Sequence, residues 1–287
     1  MSYVLRLNAE DLRSIRLHCD IFLGENTPNQ IFASPGAAPL WRWLGEGVDP
    51  ALWAREPIVP ALEAPLGHVV EGGGLNATTL LLQRYLCNLL RLGLTDGQHV
   101  VEIGAGYGGL AHAVLCARNV RYTIIDLPET LIFSAAFLLQ HFPQKRFYVY
   151  TPGDDPDAGN GAEIVLLPNY RADWLQPFDV AVNTVSFPEM SREALRAYLA
   201  ILSERMSSNG FLMSVNYEFN PARKDEFLVA DFLAQYFALT PNPRALWPVD
   251  TLEDISFRPT VLCTPQPREF GVTLRDVLNN QPMEQRV

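Results

Sequence analysis

One short run, VVEIGAGYGG at residues 100–109, combines residue types that can hold a ligand. Gly104, Gly106, Gly108 and Gly109 lack a Cβ, so the backbone there can turn left-handed and approach a bound group closely. Apolar, partly β-branched text (Val100, Val101, Ile103) leads in, and helical text, GGLAHAVLCARN, leads out. A glycine turn between a strand and a helix places backbone N–H groups where they can meet a ligand. Glu102 adds a carboxylate beneath that turn. The following apolar run, RYTIIDL, ends in Asp126. A carboxylate at the end of the second strand can accept two hydroxyl hydrogen bonds, which suits a ribose diol.

Two cofactors fit this spacing. Counted from Gly104 the run is G-x-G-x-x-G, the dinucleotide fingerprint. Counted from Glu102 it is E-x-G-x-G-x-G, the first motif of S-adenosylmethionine-dependent methyltransferases. The charge of Glu102 separates them. A dinucleotide would lay an anionic pyrophosphate over the turn, against that carboxylate. S-adenosylmethionine carries an ammonium and a sulfonium, and cations are attracted to it. The loop also begins only at residue 104, behind a helix, whereas nicotinamide domains often open their chains. A nicotinamide oxidoreductase would further need a proton donor such as Y-x-x-x-K, and none is found.

The elements needed to position these residues are legible around them. NAEDLRSIRLHCDIF reads as a first helix with Asn8 as its N-cap. Residues 24–75 are rich in Pro, Gly and Trp and weakly periodic, yet too apolar for a disordered linker; they read as an irregular cap on the main domain. Leu82, Tyr85, Leu86, Leu89 and Leu90 then mark a helix that ends near Gly93. Strand and helix alternate from there: HVVEIG, RYTIIDL, AEIVLLP, FDVAVNTV and GFLMSVN as strands, with GGLAHAVLCARN, ETLIFSAAFLLQHF and SREALRAYLAILSERM as helices. DEFLVADFLAQYF reads as a further helix and RPTVLCTP as a closing strand. Near-continuous apolar strands separated by helices predict an α/β fold, a mostly parallel Rossmann-like sheet with helices on both faces. The expected division is a cap over residues 1–75 and a ligand-binding domain over 76–287.

Composition narrows the partners. The net charge of −10 argues against a nucleic-acid surface or an anionic membrane, both of which need clustered Lys and Arg. No apolar run is long enough to span a bilayer, and the first twenty residues lack the apolar core of a leader. Cys19, Cys87, Cys116 and Cys263 form no C-x-x-C pair; Cys87 and Cys116 read as buried thiols in a reduced, cytoplasmic compartment. The acidic stretch TPGDDPDAGNGAE lacks calcium-loop spacing and reads as a solvated loop. No metal is expected, and His99, His112 and His141 read as structural.

The blocks VVEIGAGYGGLAHAVL, YTIIDLPETL, IVLLPNY and FDVAVNTVSFPEM, spread over about residues 65–220, resemble the sugar O-methyltransferases of bacterial polysaccharide and antibiotic gene clusters, a class I S-adenosylmethionine-dependent family. Pro188 stands where that family's pattern has Gln. The resemblance implies that Gly104, Ala105, Gly106 and Gly108 line the methionine part of the cofactor, with Glu102 beneath the loop near the ammonium. It implies Asp126 on the ribose, Leu127 against the adenine, Asn169 or Tyr170 at the ring, and Asn183 beside the reactive methyl. An alcohol needs a base within hydrogen-bond reach, and the candidates are Glu189 after the fourth strand, His68 in the cap and Glu218 after the fifth. Glu189 also reads as a helix N-terminal acid. Trp41, Trp43 and Trp53 fit burial of the cap or a homodimer interface, and less readily stacking on a sugar. The expected activity is methylation of a hydroxyl on a sugar or a glycosylated small molecule. The alternatives are N- or C-methylation of a small natural product, a nicotinamide oxidoreductase, and a non-catalytic methyltransferase fold that serves as a binding subunit.

Overall fold

The computed structural model describes residues 8–13, 15–18, 37–60, 63–65, 67–70, 73–216, 229–241 and 260–265. Eight strands form the main sheet: β5 His99–Ile103, β6 Arg121–Asp126, β7 Phe147–Val149, β8 Ile164–Pro168, β9 Phe178–Thr184, β10 Met206–Val215, β11 Phe237–Pro241 and β12 Thr260–Pro265. Their order is β11-β12-β10-β9-β5-β6-β8-β7. β12 runs antiparallel to β10 and β11, while the pairings β9–β10, β5–β9, β6–β8 and β7–β8 are parallel. Every residue of β5 and of β8 is buried, so both faces of these strands are covered, His99 and Glu102 of β5 included. The expected Rossmann-like α/β class is the observed one, with an antiparallel edge.

By contacts the chain divides into two units, residues 1–97 with 105–168, and residues 98–104 with 169–287. The first holds helices α1 Ala9–Arg13, α2 Ala37–Leu44, α3 Ala77–Arg91, α4 Gly109–Ala117 and α5 Pro128–His141. It also holds two small antiparallel hairpins, β1 Ile58–Val59 with β2 Ala64–Pro65 and β3 His68–Val70 with β4 Gly73–Leu75. The second unit holds α6 Arg192–Arg205 and α7 Val229–Leu233.

The Pro/Trp-rich segment is more regular than its text. α2 forms in spite of Pro39, because a proline in the first turn removes an N–H that has no helical partner anyway. Polar side chains bind this segment to the rest of its unit. Gln83 Oε1 accepts the Ala54 N–H at 2.6 Å, and Arg91 donates to the carbonyls of Leu44 at 2.9 Å and Glu46 at 2.7 Å. Trp41 is fully buried, donates through Nε1 to the Ala54 carbonyl at 2.9 Å and meets the edge of Trp53 at 4.9 Å. Of the three roles open to the tryptophans, Trp41 takes burial of the cap.

Local signals fared well where a side chain could satisfy a helix end. Asn8 Oδ1 accepts the N–H groups of Glu10 and Asp11, and Asn76 Oδ1 accepts that of Thr79. Gly93, just beyond α3, has φ 105°. The first helix is shorter than its text, with α1 followed by a 3₁₀ turn at Ile15–His18. Of the DEFLVADFLAQYF helix, Val229–Leu233 is seen, and residues 225–228 lie outside the described residues. Two edge strands, β7 and β11, were not expected from their text. Cys116 corrects the reading of a buried thiol: it is exposed on α4, whereas Cys87 is buried as expected and Cys19 lies outside the described residues. The acidic stretch is a loop of turns, mostly exposed, with Asp154 accepting the Tyr148 hydroxyl at 2.9 Å.

Candidate functional site

In the first unit the glycine loop is fixed by the acid that ends β6. Asp126 Oδ2 accepts the Gly106 N–H at 2.9 Å, and Oδ1 accepts the Leu127 N–H at 2.7 Å. Gly106 has φ 58°, a left-handed conformation that favours glycine. Gly108, at φ 86°, serves as the N-cap of α4 without a side chain. A Cβ there would press on Leu138 and Ser134 at 3.3 Å. Burial pushes the Asp126 carboxyl up to about 6, against the opposing pull of the Leu127, Gly106 and Ala105 N–H groups; the nearby Glu129 charge pushes the same way as burial. A carboxylate offers about four acceptor positions. The Gly106 and Leu127 N–H groups take two of them and the Ala105 N–H also acts on the carboxylate, so its remaining capacity is open to hydroxyl donors.

Leu127 follows as the N-cap of α5 and is 49% exposed. Tyr107 inside the loop stands edge-on to Phe137 at 5.1 Å and beneath the Arg16 guanidinium at 4.5 Å. Arg16 was not singled out in the sequence. It is buried, and its Nε and Nη2 donate to Glu56 Oε1 at 2.5 Å and Oε2 at 3.2 Å. Glu56 also accepts Asn76 Nδ2 at 2.9 Å and Thr79 Oγ1 at 3.3 Å. A helix-periodic reading cannot find such a pair, because its members stand forty residues apart and meet only through the fold.

In the second unit, Glu102 is buried inside β5, and Gly104 at the end of that strand has φ 75°. Asn183 is fully buried, and its Nδ2 donates to the Ile103 carbonyl at 2.8 Å and to Ser186 Oγ at 2.5 Å. Its amide hydrogens thus tie the end of β9 to β5 and to the turn that follows β9. Asn169 and Tyr170 lie in a 3₁₀ turn after β8, both exposed, Tyr170 at 56%.

The three base candidates have separate fates. Glu189 closes a short 3₁₀ turn, Phe187–Glu189, and is exposed. It is not in the first turn of α6, which is capped by Ser191 and carries Glu193. His68 lies on β3, paired with Leu75. Glu218 lies outside the described residues. Among the described residues no three His, Cys, Asp or Glu side chains are grouped to hold a metal ion. His99 Nδ1 meets the Pro177 carbonyl at 2.9 Å, and His112 and His141 pack against Phe137. No helix among the described residues is long and apolar enough to cross a membrane.

No protein-family model matches the chain. It is 36% identical over 131 residues to a ribosomal protein L11 methyltransferase of Stenotrophomonas maltophilia, over 40% of this chain and 43% of that protein. It is 30% identical over 93 residues to a ribosomal RNA small subunit methyltransferase A of Bartonella bacilliformis, over 30% of this chain and 33% of that protein. The chain thus matches less than half the length of these curated relatives. Among solved structures, a TehB-like SAM-dependent methyltransferase from Corynebacterium glutamicum is similar at a TM-score of 0.44 and 14% identity, over 62% of this chain and 86% of that one. The chain has a mostly parallel, Rossmann-like sheet with its glycine turn after β5, and the curated relatives it matches over part of their length are methyltransferases.

Proposed function

We propose that this chain is an S-adenosylmethionine-dependent O-methyltransferase acting on a hydroxyl of a sugar or a glycosylated small molecule. The observation that carries the cofactor half is Asp126, an acid ending β6 that ties down the glycine loop through Gly106 and retains acceptor capacity. That capacity suits the two ribose hydroxyls. Glu102 supplies negative charge for the ammonium, and Gly104, Ala105, Gly106 and Gly108 give the close backbone approach. Leu127, with Asn169 or Tyr170, offers exposed surface to the adenine. Asn183, whose amide also holds the end of β5, stands beside the reactive methyl.

The bound cofactor would supply an electrophilic methyl group on sulfur. The chain's own task is to align an acceptor oxygen with it and take the proton, and alignment is worth several kcal/mol, on the order of 7–11 in well-oriented systems. Glu189 is the favoured base, because it follows β9 at the carboxyl edge of the sheet, where ligands of α/β folds bind, and is open to an incoming acceptor. His68 and Glu218 are the other two candidates.

The sugar acceptor rests on the resemblance of NTVSFPEM and its companion blocks to the sugar O-methyltransferases. The names of the sequence relatives favour a second reading, a ribosomal protein or RNA acceptor. The net charge of −10 weighs against RNA, which would need a basic surface.

A thermal-shift titration with S-adenosylhomocysteine beside NADH, at matched concentrations, tests the cofactor. A ligand that binds only the folded state raises the melting temperature, so a rise with S-adenosylhomocysteine alone is expected. A rise with NADH alone would reject the assignment. Product mass after incubation with glycosides, ribosomal protein and ribosomal RNA then distinguishes the acceptors.

A further inference from the structure

Directly after β9 one residue adopts a backbone conformation that its type disfavours. Val185 has φ 67°, and a β-branched residue there is an outlier that its surroundings must enforce. Its N–H donates to the Val215 carbonyl at 2.8 Å, one residue beyond the pairing of Thr184 with Val215. The reversal at Val185 brings Ser186 back toward β5. Ser186 Oγ donates to the Ile103 carbonyl at 3.1 Å and accepts from Asn183 Nδ2 at 2.5 Å. The Phe187 N–H closes the turn on Asn183 Oδ1 at 3.4 Å.

The Ser186 side chain lies against Gly104. A Cβ on residue 104 would run into Ser186 Oγ and stand 2.5 Å from Ser186 Cβ. Gly104 is thus required twice, once by its φ of 75° and once by the serine packed against it. The first glycine of the loop is fixed from β9, by a residue far away in sequence.

We propose that Ser186 is a positioning residue for the cofactor loop: packed against Gly104 and hydrogen-bonded to the Ile103 carbonyl, it sets the path of the chain where β5 enters the loop. The role rests on the cofactor reading above and involves no contact between Ser186 and the cofactor. The left-handed Val185 is what delivers the hydroxyl to that place. A strained residue held at a strand end is the kind of feature that functional sites retain.

The test is calorimetric titration of the intact chain with S-adenosylhomocysteine, combined with amide hydrogen exchange of the peptide that spans residues 103–106. Ser186→Ala is expected to bind about tenfold more weakly, a difference of ~1.4 kcal/mol, with faster exchange in that peptide and an almost unchanged melting temperature. Ser186→Thr, which keeps the hydroxyl, is expected to bind within about threefold of the wild type. Gly104→Ala should abolish binding, and adding Ser186→Gly should restore part of it, since the obstructing side chain is then gone. Coupling of that kind in a double-mutant cycle is the signature of direct contact. Wild-type affinity and exchange in Ser186→Ala would overturn the proposal while leaving the cofactor reading intact. Failure of the wild type to bind S-adenosylhomocysteine would overturn the cofactor reading and this proposal with it.

Discussion

Gly106 donates its backbone N–H to Asp126 Oδ2 at 2.9 Å, so the loop after β5 and the acid ending β6 are one hydrogen-bonded assembly. The bond explains why the two sequence features occur together. The acid orders the loop before any ligand arrives, and a preorganised site loses less entropy on binding.

Asp126 should make both binding and stability depend on pH. Its carboxyl is raised from 3.8 to about 6, chiefly by burial. The folded state therefore holds this proton more tightly than the unfolded state. The group's contribution to stability is full below 3.8 and is lost as pH rises through about 6. The ionised form is the better acceptor for hydroxyls, so affinity for S-adenosylhomocysteine should fall as pH drops below about 6. Calorimetry at several pH values should show that slope in the wild type and a flat, weak response in Asp126→Asn. A slope that persists in the variant would assign it to another group.

His112 should confer the opposite dependence. Burial, with the neighbouring His141 charge adding to it, pulls His112 down from 6.5 to about 3. The unfolded chain then binds the proton more readily. The group's contribution is present above 6.5 and is lost as pH falls toward about 3. Replacing His112 by Phe, among Phe137 and Phe142, should flatten the loss of melting temperature on acidification. Equal acid sensitivity in the two proteins would place its origin elsewhere.

The Arg16–Glu56 pair should be costly to break and less costly to replace. Both side chains are nearly inaccessible. Glu56→Gln removes the carboxylate charge that faces the buried guanidinium, and the loss should be ~3–5 kcal/mol in urea unfolding. Arg16→Met together with Glu56→Leu should recover part of that loss, since Asn76 and Thr79 then lose the Glu56 acceptor. A single variant as stable as the wild type would mean that the pair contributes little.

Glu189 carries the prediction about chemistry. Glu189→Gln should lower turnover about 10²–10⁴-fold, measured by product mass on whichever glycoside is methylated. Its affinity for S-adenosylhomocysteine should remain that of the wild type. Unchanged turnover would move the base role to His68 or Glu218.

The sequence by itself determined the elements and the loop. Near-continuous apolar runs mark strands buried on both faces and period-3.6 patterns mark the helices that cover them, so β5, β6, β8, β9, β10 and their helices were legible, as was the Asn8 cap. Gly104, Gly106 and Asp126 stood out because only certain residue types can take those conformations or accept those bonds. The tertiary structure decided what depends on partners distant in the chain. β7 and β11 are short edge strands whose pairing comes from a neighbour rather than from their own pattern. Trp41 is buried because Ala54, Trp53 and the α3 side chains surround its segment, which composition could not distinguish from an exposed aromatic surface. Cys116 sits in apolar helical text but on the side of α4 that meets solvent. Asn183 was legible as a residue at a strand end, yet only the parallel register that sets Ile103 beside it commits its amide to the backbone. A hydrogen bond needs both partners within about 3 Å, and that distance belongs to the fold.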